Sequence, residues 1–150
     1  MKCLTVLVTF LLTFSTAISQ NNTDKEGVEN ACLNYIEGFY QGDENKLIES
    51  LQPALNKFGF WKDKTSNQYK QVDHMSFEKA LEFARNVLEK KKFPDPDAPK
   101  KIEVLDIGNV IASAKVTAWW GIDYILLSKR DDIWMIEQVL WEGPLQKSED

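Results

Sequence analysis

The sequence predicts an α+β fold, with helices in the first half and an antiparallel sheet in the second. Three observations carry this. Apolar residues recur at helical spacing in two segments, Val28 to Phe39 and Phe77 to Leu88. From Lys101 onward the pattern becomes that of strands, as four β-rich stretches separated by short turn signals. The length, 150 residues, suits one domain with a single core.

Lys2 is followed by an apolar and hydroxyl run from Leu4 to Phe14 and then by small residues ending Ala17-Ile18-Ser19. That order predicts a secretory signal peptide over 1–19 and a domain over 20–150, placing the mature chain in the secreted or periplasmic fraction. The run is too short for a membrane span. Cys3 precedes it, so a lipid anchor, which needs a cysteine just after the apolar run, is not expected. Loss of Cys3 would leave Cys32 as the one cysteine and no intrachain disulfide. Loss of Lys2 would take the formal charge from −5 to −6, against the basic patches of a nucleic-acid surface.

Thr23-Asp24-Lys25-Glu26 has the form of a capping box, and Val28, Cys32, Tyr35 and Phe39 follow as one apolar stripe. Gly42-Asp43 stops this helix. A short helix with Leu47, Ile48 and Leu51 is expected next, interrupted by Pro53. Leu55–Trp61 and Tyr69–Val72 read as two short strands around a polar loop. Ser76 caps a helix with Phe77, Ala80, Leu81, Ala84, Val87 and Leu88 on one face, and with Glu82, Arg85 and Glu89 at ion-pairing spacing on the other. Phe93 to Pro99, with three prolines, is an extended loop. Strands are expected at Ile102–Ile107, Val110–Trp119, Asp123–Lys129 and Ile133–Trp141, forming an antiparallel meander. The last strand carries apolar residues on both alternating sets, which predicts a second covered face and hence a homodimer.

This element order, with Asp123-Tyr124-Ile125-Leu126-Leu127 and the closing run Ile133-Trp134-Met135-Ile136 with Val139-Leu140-Trp141, resembles the nuclear transport factor 2-like superfamily. The branch it resembles is the SnoaL-like, or putative lumazine-binding, one. The resemblance spans nearly all of the chain after residue 19 and implies a cone, with a curved antiparallel sheet wrapped around the N-terminal helices. Such apolar motifs identify a fold rather than an activity. Relatives often carry a His-Pro pair and then an acid after the second helix, whereas Gln52-Pro53-Ala54 stand here, so any role of that histidine and acid is absent.

His74 is the sole histidine, which excludes a multi-histidine metal site within one chain, and no acidic cluster has calcium-loop spacing. No metal and no cofactor are expected. No nucleophile elbow or phosphate-cradling glycine loop occurs. Cys32, on the apolar stripe, reads as a buried, inert thiol. Enzymes of this fold similar to ketosteroid isomerase use a carboxylate base in an apolar cone, and Asp123 is the residue to compare, although it also suits a structural role at the Trp119-Trp120-Gly121 turn. Asp123 and Tyr124, as strand neighbours, point to opposite faces.

Tyr35, Phe39, Trp119, Tyr124 and Trp134, with Trp120 and Trp141 beside them, read either as an aromatic ligand pocket or as core and dimer contacts. The leading functional expectation is a non-enzymatic domain that binds a small hydrophobic or planar ligand or serves as an interaction module. The alternatives are a lyase or isomerase using Asp123, and a purely structural homodimer.

Overall fold

The computed structural model describes the backbone of residues 5–145 and the side chains of residues 23–145. The expected export segment, 1–19, lies outside the residues whose side chains are described. Helix α1 spans Thr5–Gln41 and α2 Glu44–Ser50, followed by strands β1, Leu51–Lys62, and β2, Tyr69–Met75. Helix α3 covers Phe77–Glu89, and the chain continues through β3, Lys101–Ile107, β4, Ile111–Ala118, β5, Gly121–Arg130, and β6, Ile133–Gly143. The strands form one curved, open sheet in the order β2-β1-β6-β5-β4-β3. All neighbours are antiparallel except β1 and β6, which run parallel and join the N-terminal hairpin to the expected meander.

Helix α1 lies on the inner face against β3, β4 and β6, and α3 packs on α1 and β1. Alternation along β4 turns Ala112, Ala114, Val116 and Ala118 inward, and these small side chains let α1 approach closely. Val28, Cys32, Tyr35, Ile36 and Phe39 supply the helix side of the core. Burying one such large side chain contributes roughly 1.5–3 kcal/mol.

Four expectations change. Thr23 to Glu26 lie inside α1 rather than at its start, and Asp24 is buried, accepting from Lys129 Nζ at 2.7 Å and Trp134 Nε1 at 3.1 Å. Leu51 opens β1 instead of closing α2, which Asp43 caps through the Asn45 and Lys46 amides. Pro53 therefore sits in a strand, where the β1–β6 register slips between Leu51 and Asn56 and the missing N–H interrupts no ladder. On α3, Ala80, Ala84 and Val87 are buried but Leu88 is exposed, and Arg85 pairs with Glu44 of α2 at 2.6 Å.

The fourth change explains the two apolar sets on the last strand. Leu126 pairs with Gln138 but Leu127 pairs with Ile136, so β6 carries a bulge at Glu137. Glu137 is held there by the Ser128 hydroxyl and by Arg130 Nη2, the latter at 2.6 Å. The extra residue reverses the alternation. Trp134 and Ile136 before it, and Val139 after it, are all buried on the inner side, with Trp141 following Val139 at strand spacing. Much of the apparent second apolar face is thus the same face on either side of a bulge.

Candidate functional site

Three inward-facing strand positions build the floor of the site. In β5 alternation buries Asp123, Ile125 and Leu127 and leaves Tyr124 and Leu126 outside. In β1 the same rule turns Leu55, Lys57 and Gly59 inward, so a lysine is carried into the core. Trp141 of β6 stands between them in the sheet, paired with Gly59 on one side and Asp123 on the other. A Cβ at Gly59 would fall 2.5 Å from the Trp141 ring, so only glycine lets that indole lie against β1.

The β4–β5 turn supplies the next layer. Gly121 has φ of +150°, and a Cβ there would meet the Glu142 carbonyl oxygen at 1.9 Å. The tight turn before it presents Trp119 and Trp120. The Tyr40 hydroxyl accepts from the Trp119 amide at 2.9 Å and donates to the Pro99 carbonyl at 2.5 Å, fixing the turn to α1 and to the end of the proline-rich loop.

These elements converge on a buried polar chain. Lys57 Nζ donates to the Tyr35 hydroxyl at 2.6 Å, and that hydroxyl donates to Asp123 Oδ2 at 2.7 Å. Trp120 Nε1 donates to the same carboxylate, at 2.9 Å to Oδ1. Asp123 and Tyr35 are fully buried and Lys57 nearly so. Among the described residues no carboxylate lies within ion-pairing distance of Lys57 Nζ. Its other neighbours are aromatic, with Nζ 5.3 Å from the Tyr35 and Trp141 ring centres and 5.8 Å from that of Trp120.

Burial holds the Lys57 ammonium below its usual range, with the Asp123 charge opposing that shift. Burial, reinforced by the Asp123 charge and hydrogen bond, keeps the Tyr35 phenol well above its usual range. Cys32 is buried nearby, and burial first, then Asp123 and Glu29, push its thiol up to about 12.

Over this chain opens a cavity of about 190 Å³. Phe39 from α1, Phe83 from α3, Trp61 from β1, Met75 ending β2, Trp119, Trp120 and Trp141 line it, and Lys57 is its one ionisable lining residue. The rings meet edge to face: Phe39 lies 5.8 Å from Trp120 and 5.6 Å from Phe83, and Trp119 lies 5.9 Å from Trp120.

Of the residues singled out in the sequence, Phe39 and Trp119 line this cavity, and Tyr35 and Asp123 lie beneath it. Tyr124 is on the outer face of the sheet, and Trp134 belongs to the separate cluster with Asp24 and Lys129. Asp123 does not line the cavity and is joined to its lining by hydrogen bonds, from Trp120 directly and from Lys57 by way of Tyr35. Lys57, Trp61, Met75 and Phe83 were missed. The signal for Lys57 was the register Leu55, Lys57, Gly59, Trp61, where a lysine stands at inward positions of a strand. Among the described residues no group of three or more His, Cys, Asp or Glu side chains stands close enough to hold a metal ion. Among them also, no helix is long and apolar enough to cross a membrane.

A family profile described as "Putative lumazine-binding" matches residues 23–142. No curated protein sequence matches the chain. Among solved structures, an NTF2-like protein of unknown function from Shewanella baltica OS155 is 18% identical, with 85% of this chain and 96% of that one covered and a TM-score of 0.58. One from Methylobacillus flagellatus KT is also 18% identical, covering 79% and 90%, with a TM-score of 0.59. A hexachlorocyclohexane dehydrochlorinase is 11% identical, covering 81% and 85%, with a TM-score of 0.50. At these identities the likeness is one of fold, and the same scaffold serves both enzymes and proteins of unknown function.

Proposed function

The chain belongs to the putative lumazine-binding family and has the NTF2-like fold, and from that premise we propose that it is a ligand-binding domain for a small planar molecule bearing an acceptor oxygen. The observation that carries this reading is the aromatic cavity with a single buried ammonium, Lys57, on its wall. Flat rings stack or meet edge to face with Trp61, Trp119, Trp120 and Trp141. Lys57, which gives one hydrogen bond to Tyr35, has N–H groups left for a carbonyl or carboxylate. The volume is below the roughly 300–1,000 Å³ typical of sites for drug-sized ligands, which favours molecules of one or two rings. Asp123 lies outside the cavity lining, which favours binding over the lyase or isomerase reading.

Four of the five tryptophans line the cavity, so their fluorescence reports occupancy. Titration with lumazine and with 2-naphthoate should quench it saturably. Lys57→Met should weaken both by roughly 10- to 100-fold, the worth of a charge-assisted hydrogen bond, while leaving naphthalene, which has no acceptor, nearly unchanged. Absence of quenching by all three at millimolar concentration would remove the reading.

A specific observation also favours a homodimer. On the outer face of the sheet Leu105, Tyr124, Leu126 and Leu140 are all exposed, and a shallow groove runs between them. We propose that a second copy of the chain covers this face, since an apolar surface of this kind gains roughly 25 cal/mol per Å² on burial.

A further inference from the structure

We propose that Lys57 condenses with the carbonyl group of a small aromatic aldehyde or ketone and holds it in the cavity as a covalent iminium. The inference rests on the ligand-binding reading of the same cavity and adds a reaction to it.

A lysine at this position is costly, because a methionine or leucine would fill an inward site of β1 without desolvating a charge. What the amine has instead is a setting for nucleophilic chemistry. It lines an apolar cavity, it has no carboxylate within ion-pairing distance among the described residues, and it touches one polar group, the Tyr35 hydroxyl. Burial also disfavours its protonated form, which raises the fraction of free amine at neutral pH.

The chain beneath supplies the proton bookkeeping. Lys57 Nζ passes a proton to Tyr35 Oη as Tyr35 passes its own to Asp123 Oδ2, along bonds of 2.6 and 2.7 Å. The products are a free amine, an unchanged phenol and a neutral Asp123 carboxyl. The nitrogen lone pair then attacks the carbonyl carbon, forming the C–N bond while the carbonyl π pair moves to oxygen. One N–H proton neutralises that oxygen, giving a carbinolamine. The proton stored on Asp123 returns through Tyr35 to the hydroxyl, the C–O bond breaks, water leaves, and the nitrogen lone pair forms C=N. The resulting iminium cation stands where the ammonium stood, with Asp123 again a carboxylate across Tyr35, so the buried charges are the same before and after. The rings around Nζ favour that cation as they favoured the ammonium.

The test uses the full chain with 2-naphthaldehyde and borohydride, which reduces an iminium to a stable secondary amine, followed by peptide mass mapping. The expected result is one naphthylmethyl adduct, on Lys57, formed at least 10-fold faster than on any exposed lysine at pH 7 and suppressed by excess 2-naphthoate. Tyr35→Phe, which removes the relay hydroxyl, should slow the labelling of Lys57. Because competition is read on the unaltered protein, a variant that fails to fold does not blunt the test. Labelling spread over exposed lysines with none at Lys57 overturns the condensation. In that case, persistent quenching by 2-naphthoate leaves the binding reading standing, and its absence removes both.

Discussion

Lys57 and Asp123 face each other across one phenol, and their charges are buried together. Taking away either leaves the other in a medium that solvates it poorly. Asp123→Asn keeps the shape but leaves Lys57 without a countercharge, so it should cost about 3 kcal/mol or more, beyond the roughly 1 kcal/mol of an ordinary lost hydrogen bond. In a protein already carrying Lys57→Met the same change should cost only about 1 kcal/mol, and urea denaturation of the four proteins measures that coupling. Equal costs in both backgrounds would mean that the two groups do not interact. A pH series gives a second readout. Below the depressed folded-state value of Lys57, folded and unfolded chains both hold the proton and the burial cost is complete. Between that value and 10.5 the folded chain releases it while the unfolded chain keeps it, so stability rises with pH. Wild type should therefore gain stability relative to Lys57→Met as pH is raised toward 10, and a constant difference would place Lys57 in its ordinary range.

At the level of single elements the bulge in β6 decides what the cavity contains. Inserting one alanine between Gln138 and Val139 would shift the alternation beyond the bulge by one residue and turn Val139 and Trp141 outward and Leu140 inward. The expected outcome is a loss of at least about 3 kcal/mol on denaturation, comparable to truncating a large core side chain, together with loss of quenching by 2-naphthoate. Retention of both would mean that the facing of Val139 and Trp141 is not set by their count from the bulge. The bulge also marks where the sequence stopped being legible. Helix α3, the Ser76 cap and the meander follow from spacing and turn residues, because each depends on neighbours within a few positions. Glu137 reads as an ordinary polar strand residue, since its effect depends on Ser128 and Arg130 across the hairpin. The parallel pairing of β1 with β6 joins segments some eighty residues apart and leaves no local trace. Lys57 is easily passed over for a related reason: charge normally marks the solvent side of a strand, and here a phenol from α1 and a carboxylate from β5 make the inner side tolerable.

For the whole molecule, the outer sheet face sets the expected assembly. Light scattering at high micromolar concentration should give the mass of two chains, and Leu126→Asp, which alters only an exposed position, should give the mass of one with little change in thermal midpoint. A wild-type chain that stays monomeric would count against the homodimer. The place of β6 in the sheet has a kinetic consequence. It is the last of the described strands to be synthesised, yet it lies between β1 and β5 and carries Trp134, the partner of Asp24 in α1. Until it leaves the ribosome, the N-terminal hairpin has no mate on its inner edge and Asp24 of α1 lacks its Trp134 partner. Closure must bring together residues 110 positions apart in sequence, so the entropic cost of that loop precedes any gain from the core. Closure of the sheet then waits on β6 rather than advancing strand by strand. Any process that holds the chain extended during synthesis competes with no closed sheet.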